Sequence, residues 1–401
     1  MRIVLVSTEY SMPNNGGGIG TYTHTLARSL SRLGHEVHII TLARQNKTEH
    51  LKEGDVYIDS IHPSPVLPMY GRHFWGRHIE EALECLEWSL SVYHEVLRLK
   101  REGHLDVVHV PDWGAEGFWL ALHPPVPLTV TLHGPRFFTR QLGLQPLTLG
   151  VKFIEIMERQ VFLRASGITS PSREMLRIVA QTCKIPTVGR PIKVIPNPVD
   201  TTIFRPSEKL ETKPPDNFTV TYVGRLKLLK GAHILAVAIP TIVKIYPQAN
   251  FRFIGQDTPM SDGRSMLSYI RSLTKDCEES LEFTGPLPRA TLPDHYGQSA
   301  LVVIPSLQES FGYTCAEAMA CGACVVASNV GGLAEMIQEG ESGFLVPPAN
   351  ASFLAQTIID LLSRPEERKR VGQNARQQAV AQFNTERITE QIVEFFIEVS
   401  K

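Results

Sequence analysis

A chain of 401 residues is too long for one ordinary hydrophobic core and suits two α/β domains of roughly 200 residues each. Its 43 % hydrophobic and 20 % charged residues exclude a disordered or fibrous protein. With 40 basic and 41 acidic residues there is no global field to recruit nucleic acid, so any anion must be held by a local site. Six cysteines are too sparse for a disulfide scaffold and point to a reducing cytoplasm. The apolar run in Met1–Ser7 is far shorter than a signal-peptide core, and nowhere do 18 apolar residues follow one another, so no transmembrane helix is expected.

In chain order, Ile3–Ser7 is a short apolar run that fits a buried parallel strand. The loop Asn14–Gly20 follows, then a helical pattern through Tyr22, Leu26, Leu30 and Leu33 that Gly34 stops. Strands are predicted at Val37–Thr41, Val56–Ile61, Asp106–Val110, Leu128–Leu132, Gly167–Ser170 and Lys193–Ile195. Helices are predicted at about 76–101 and over Phe153–Leu163, and Ser172 is placed to cap a further helix. Residues 201–217, with Pro206, Pro214 and Pro215, read as a linker. A second series starts at Phe218–Val223, with a helix after Gly231 and strands at Phe251–Ile254, Leu281–Phe283, Leu301–Ile304, Cys324–Ala327 and Phe344–Val346. Helical stretches run from Ala351 to Lys401. Strands alternating with helices predict two doubly wound, Rossmann-like domains with ligands at the carboxyl ends of the strands.

Those ends carry the chemistry. A helix opening near Phe311 or Gly312 aims its first free amides at the strand ends, which makes an anion site. Glu309 precedes it. Glu317 lies inside it among Ala316, Ala318 and Met319, where a carboxylate needs a partner: ribose hydroxyls or a structural basic group, two readings that spacing leaves open. Arg225 and Lys230, in the loop after Val223, are placed to neutralise a diphosphate. No Asp-x-Asp triplet occurs, so these cations, rather than magnesium, are expected to take the leaving-group charge. Gly16–Gly20 offers a nest of amides, but Thr23 breaks the G-x-G-x-x-G spacing of a dinucleotide site and no acidic residue ends the second strand. His133 sits at a strand tip, where it either meets a sugar hydroxyl or is an ordinary loop histidine. Asp112 either orients an acceptor or caps a helix, and capping is favoured. Cys321-Gly-Ala-Cys324 closes a helix and enters a strand, which favours small core residues over a redox pair.

Taken together, these pieces resemble the retaining glycosyltransferases of the GT-B fold, family four (group 1), over nearly the whole length. The most specific signal is Glu309 and Glu317 with seven residues between, followed by Ala318-Met319-Ala320-x-Gly322. The other matches are the Gly-rich first loop, His133-Gly134, Ile195-Pro196-Asn197-Pro198-Val199-Asp200, Val223-Gly224-Arg225 with Lys230-Gly231, and Gly331-Gly332-Leu333-Ala334-Glu335. The family often has glycine where this chain has Pro198.

The resemblance implies two domains facing across a cleft. Residues 1–200 with a returning helix at about 385–401 would bind the acceptor, and 201–384 the donor. It implies that Arg225 and Lys230 bind the donor diphosphate, that Glu317 takes the ribose, and that Glu309 with Phe311 and Gly312 holds the sugar. Gly17 and Gly18 would lie near the diphosphate, His133 near the sugar, and Gly285 and Leu287 beside the base. The implied activity is metal-independent, cofactor-free transfer of a hexose from a nucleotide diphosphate sugar, UDP favoured over GDP, to a glycan or lipid-linked acceptor, as in polysaccharide biosynthesis. The alternatives are a nucleotide-sugar epimerase or hydrolase, or a non-catalytic nucleotide-sugar binder. Residues 62–80 and 135–150, on the acceptor side, carry no motif. From Pro135 to Arg177 seven basic and three acidic residues mix with apolar ones. They read either as a patch for peripheral contact with the inner membrane face or as core helices with solvated charges, and the second is favoured.

Overall fold

A computed structural model of the chain describes residues 1–10, 17–43, 47–63, 77–141, 147–186, 188–207, 218–260 and 262–401. The chain divides into two compact units, Met1–Pro198 with Thr385–Lys401, and Val199–Asn384.

Among the described residues the first unit carries strands β1 (Arg2–Val6), β2 (Glu36–Leu42), β3 (Glu49–Glu53), β4 (Val56–Ile61), β5 (Val107–Pro111), β6 (Leu128–Thr131), β7 (Gly167–Ser170) and β8 (Ile192–Val194). They form one sheet in the order β3-β4-β2-β1-β5-β6-β7-β8. Pairing is parallel except for the β3–β4 hairpin, whose first strand the sequence does not announce: Glu49–Glu53 is exposed at every position and has no apolar alternation. Asp59 of β4 and Glu95 of the helix Arg77–Glu102 lie near His50, but Arg98 already bridges the two carboxylates at 3.0 and 2.6 Å. That network ties the hairpin to the helix.

The second unit carries β9 (Thr219–Val223), β10 (Asn250–Ile254), β11 (Leu281–Gly285), β12 (Leu301–Ile304), β13 (Val325–Ser328) and β14 (Phe344–Val346), in the order β11-β10-β9-β12-β13-β14 and parallel throughout. Buried valines, isoleucines and aromatics of these strands, such as Val220, Phe251 and Val303, pack against the flanking helices. In each sheet the winding reverses beside the first strand, between β1 and β5 and between β9 and β12. A crevice opens outside the carboxyl ends at such a point, and the polar residues of both units gather there.

Residues 201–207 are not a linker. Phe204 is buried in the core of the second unit, and Arg376 donates to its carbonyl at 2.8 Å. Pro214 and Pro215 lie outside the described residues. Cys321 and Cys324 are buried and unbridged in the same unit.

The terminal helix Thr385–Val399 packs on the first unit. Gly167 of β7 leaves the room: a Cβ there would stand 2.7 Å from Phe395. Phe396 lies 5.2 Å from the His109 ring. Phe395 is fully buried, so Phe395→Ala should lower the unfolding free energy of this unit by about 3–5 kcal/mol. Denaturant unfolding measures it, and a loss below about 1 kcal/mol would show that the helix is not part of the core.

Candidate functional site

In the second unit the site is built from three strand-end loops and one short helix. After β9 the chain turns at Gly224 (φ +149°) and leaves Arg225 exposed. A single turn of 3-10 helix, Leu228–Lys230, ends at Gly231 (φ +71°). A Cβ on Gly231 would stand 1.8 Å from the Pro305 carbonyl, so only glycine lets the β9 and β12 loops touch. The contact brings Lys230 Nζ to Glu309 Oε1 at 2.6 Å, and the Ser306 hydroxyl donates to the same oxygen at 3.0 Å. The Glu309 backbone is held from the other side, where Gly332 N donates to its carbonyl at 3.1 Å.

The helix Tyr313–Ala320 begins one residue beyond the predicted start, with left-handed Gly312 (φ +98°) as its N-cap. Thr314 Oγ1 donates to the Val223 carbonyl at 3.3 Å, which anchors the helix start to the end of β9. Phe311 is buried, 5.3 Å from the Tyr313 ring. Glu317 is 4 % exposed and faces Arg289, from the loop after β11. Arg289 Nε donates to Oε1 at 3.0 Å, and its Nη2 binds the same oxygen. Tyr296 Oη donates to Oε2 at 3.2 Å. Of the two readings of Glu317, the structural basic partner is therefore present, and it leaves the carboxylate's second oxygen with a hydroxyl donor. Burial is the largest single influence on the Arg289 cation and works against it, but the Glu317 charge and hydrogen bond, with smaller contributions from Tyr313 and Tyr296, together outweigh it and raise the guanidinium pKa. Gly285 ends β11 in a left-handed turn (φ +71°) with open space at its Cβ position. Leu287 is half-buried against the core.

Arg289 and Tyr296 are not singled out by sequence reasoning. The one available signal is a basic residue four positions after Gly285, at another strand carboxyl end.

In the first unit Gly17 is the extended N-cap of the helix Gly18–Arg32. One amide of this turn is already engaged by a carboxylate: Gly20 N donates to Glu9 Oε2 at 3.1 Å, and a Cβ on Gly17 would stand 2.7 Å from that oxygen. Sequence reasoning missed Glu9, which sits two residues beyond the apolar run. Asn14, Asn15 and Gly16 lie outside the described residues.

His133 is half-buried, its ring edge-on to Tyr22 at 4.8 Å, and its Nε2 has no hydrogen-bond partner among the described residues. Burial lowers its pKa to about 3, so it is a neutral imidazole near pH 7. With Ile19, Tyr22, Thr23, His109 and Pro111 it lines a small recess.

Asp112 does not cap a helix. Its own backbone is helical (φ −81°, ψ −13°) rather than the extended form an N-cap needs, and its side chain makes no cap bond. Instead Oδ2 accepts from Gly134 N at 3.0 Å, which ties the β5 and β6 loops together. Glu116 is buried nearby and accepts from the Thr8 hydroxyl at 2.8 Å. Burial pushes both carboxyls up to about 7. Glu158, buried and accepting from Gly114 N and Arg136 N, is also raised, first by burial and then by the Asp112 charge.

Two doubly wound sheets with polar residues at each reversal define a two-unit, Rossmann-like class of protein, and comparison with known proteins makes it specific. Residues 16–203 match the model of Glycosyltransferase Family 4, and residues 204–378 that of Glycosyl transferases group 1. The chain belongs to the group 1 glycosyltransferases of family 4. It is 26 % identical over 384 residues to D-inositol 3-phosphate glycosyltransferase of Acidothermus cellulolyticus, covering 90 % of this chain and 82 % of that one. It is 26 % identical over 403 residues to glycogen synthase of Mycobacterium tuberculosis, covering 96 % and 91 %. The fold is that of sucrose-phosphate synthase from Thermosynechococcus elongatus, with a TM-score of 0.82 at 22 % identity over 99 % of this chain and 98 % of that one. It is also that of the Anabaena protein HepE solved with UDP-glucose, with a TM-score of 0.73 at 19 % identity over 98 % of each chain. These are GT-B folds, and the activity of this chain is glycosyl transfer.

The raised carboxyls predict a pH dependence. A free carboxyl ionises near pH 4, whereas Asp112 ionises in the fold at about 7. The folded state therefore binds an extra proton between those values, and Asp112 makes stability fall as pH rises through that window. Asp112→Asn should narrow the loss of unfolding free energy between pH 5 and pH 8, measured by urea titration. An unchanged difference would place the ionised carboxylate in the fold.

Proposed function

We propose that the chain transfers a hexose from a UDP-sugar to a hydroxyl acceptor, with retention of anomeric configuration and without a metal ion. The observation that carries this reading is the pair of fixed carboxylates: Glu309 on Lys230 and Glu317 on Arg289, at the carboxyl edge of one sheet and beside the exposed Arg225. Arg225 and Lys230 hold the diphosphate and take the charge that develops as it leaves. Glu309, with the Phe311 and Gly312 backbone, holds the sugar hydroxyls, and the free lone pairs of Glu317 take the ribose. Gly285 and Leu287 border the base. In the first unit Gly17 and Gly18 approach the donor by bare backbone. His133, neutral, bonds a hydroxyl rather than a phosphate. Asp112 acts on the acceptor side by fixing Gly134. The UDP preference is supported by the Anabaena structure, which holds UDP-glucose. A glycan acceptor is supported by the glycogen synthase relative. Two cations at the strand ends and the lack of any Asp-x-Asp triplet support metal independence.

The test is a donor panel with an acceptor screen, product anomers being read by NMR. Arg225→Ala should lower kcat/KM at least about 10²-fold, the usual effect of removing one donor to the leaving charge, with the fold intact by circular dichroism. Chelation with EDTA should leave the rate unchanged. Near-wild-type rates in both Arg225→Ala and Lys230→Ala, or a rate that collapses on chelation, would reject the assignment. Turnover of donor without acceptor would make the chain an epimerase or hydrolase.

A further inference from the structure

The helix Leu149–Arg164 of the first unit is apolar on two sides. Its inner side, with Val151, Ile154, Val161 and Phe162, is buried. Its outer side leaves Leu149, Phe153 and Ile156 at 64, 57 and 56 % exposure, joined by Leu147 just before the helix. Val151, Ile154, Met157, Val161 and Phe162 are buried, as the core-helix reading of this segment expects, while Leu149, Phe153 and Ile156 face outward. A helix apolar all round is normally covered on both sides.

The arrangement of charge says what covers it. At 3.6 residues per turn, Leu149, Phe153, Ile156 and the half-buried Leu163 fall together in the middle of an outer sector about 140° wide. Exposed Lys152 and Arg159 flank one side and exposed Arg164 the other. No acid of this helix shares the sector: Glu155 is turned to Arg140 at 2.6 Å, and Glu158 is buried. An apolar centre with cationic rims matches the interface of an anionic bilayer, where side chains enter the acyl boundary and cations meet headgroup phosphates. A second copy matches poorly, because a two-fold contact would set the same three cations against one another.

We propose that this face of the helix docks the protein on an anionic membrane surface. Because β6 and β7 are parallel, the helix between them starts at the carboxyl edge of the sheet and runs back. Its Leu149 and Phe153 end therefore lies at the same edge as the Asp112 and His133 loops. The docking stands independently of the transfer reading. Its consequence, an acceptor hydroxyl presented from a lipid anchor, rests on that reading.

Co-sedimentation with vesicles tests it without any donor or acceptor. Wild-type protein should pellet with phosphatidylcholine/phosphatidylglycerol vesicles, less with pure phosphatidylcholine, and should be released by salt. Leu149→Ser with Phe153→Ser and Ile156→Ser should lower the partition coefficient at least about tenfold. Lys152→Gln with Arg159→Gln and Arg164→Gln should remove the preference for anionic vesicles and the salt response. Circular dichroism should be unchanged in both. A wild type that stays in the supernatant, or a serine variant that binds as well as wild type, overturns the proposal. So does self-association in sedimentation velocity that the serine changes abolish while no vesicle binding is seen, which would give the face to a second copy.

Discussion

A carboxylate cannot stay ionised inside a protein without a partner, and the second unit contains two, eight residues apart on either side of one helix start. The loops at the carboxyl ends of β9 and β11 supply the partners. Lys230 reaches across from the β9 loop to Glu309, and Arg289 reaches from the β11 loop to Glu317. One ion pair joins two loops and the other joins a loop to the helix Tyr313–Ala320, so the charges that must be neutralised also lock the shape of the site. Positioning is what catalysis asks of such a framework, since only donors already aimed at the leaving charge act without reorganisation.

Glycine makes the locks attainable. Gly231 lies so close to the Pro305 carbonyl that any side chain would part the loops and pull Lys230 from Glu309. Gly331, where a Cβ would stand 1.9 Å from the Glu309 carbonyl, does the same from the far side. The first unit solves the same problem differently. Among the described residues Asp112 and Glu116 pair with no cation, and burial raises them until they hold a proton near neutrality. His133 and His109 are driven the other way, to about 3, and stay uncharged. One unit carries paired charge at its strand ends, the other buried polar groups that stay largely uncharged.

The sequence made the strands legible wherever a parallel strand is buried on both faces, because such a strand is a continuous apolar run. Leu301–Ile304, apolar and buried throughout, matches residue for residue; so do Gly167–Ser170, buried but half polar, and Phe344–Val346, apolar but only partly buried. The exposed strand Glu49–Glu53 has no such run and left no trace. Glu309, Arg225 and Lys230 were legible because local spacing puts them at strand ends, and Glu317 because it is a carboxylate inside an apolar helix. Their partners were not: Arg289 meets Glu317 across 28 residues, and Glu9 meets Gly20 across 11. Asp112 was misread because its neighbours suggest a cap, whereas its own helical backbone prevents one. That Leu149, Phe153 and Ile156 face outward was not legible, because apolar composition does not say on which side a helix is covered.

The most direct measurement is a crystal structure of the protein with a UDP-sugar. The account expects the diphosphate within hydrogen-bonding distance of Arg225 and Lys230, the ribose on Glu317 with Arg289 still in place, and the sugar beside Glu309. A diphosphate bound elsewhere, or one held chiefly through a divalent ion while Arg225 and Lys230 point away, would contradict it.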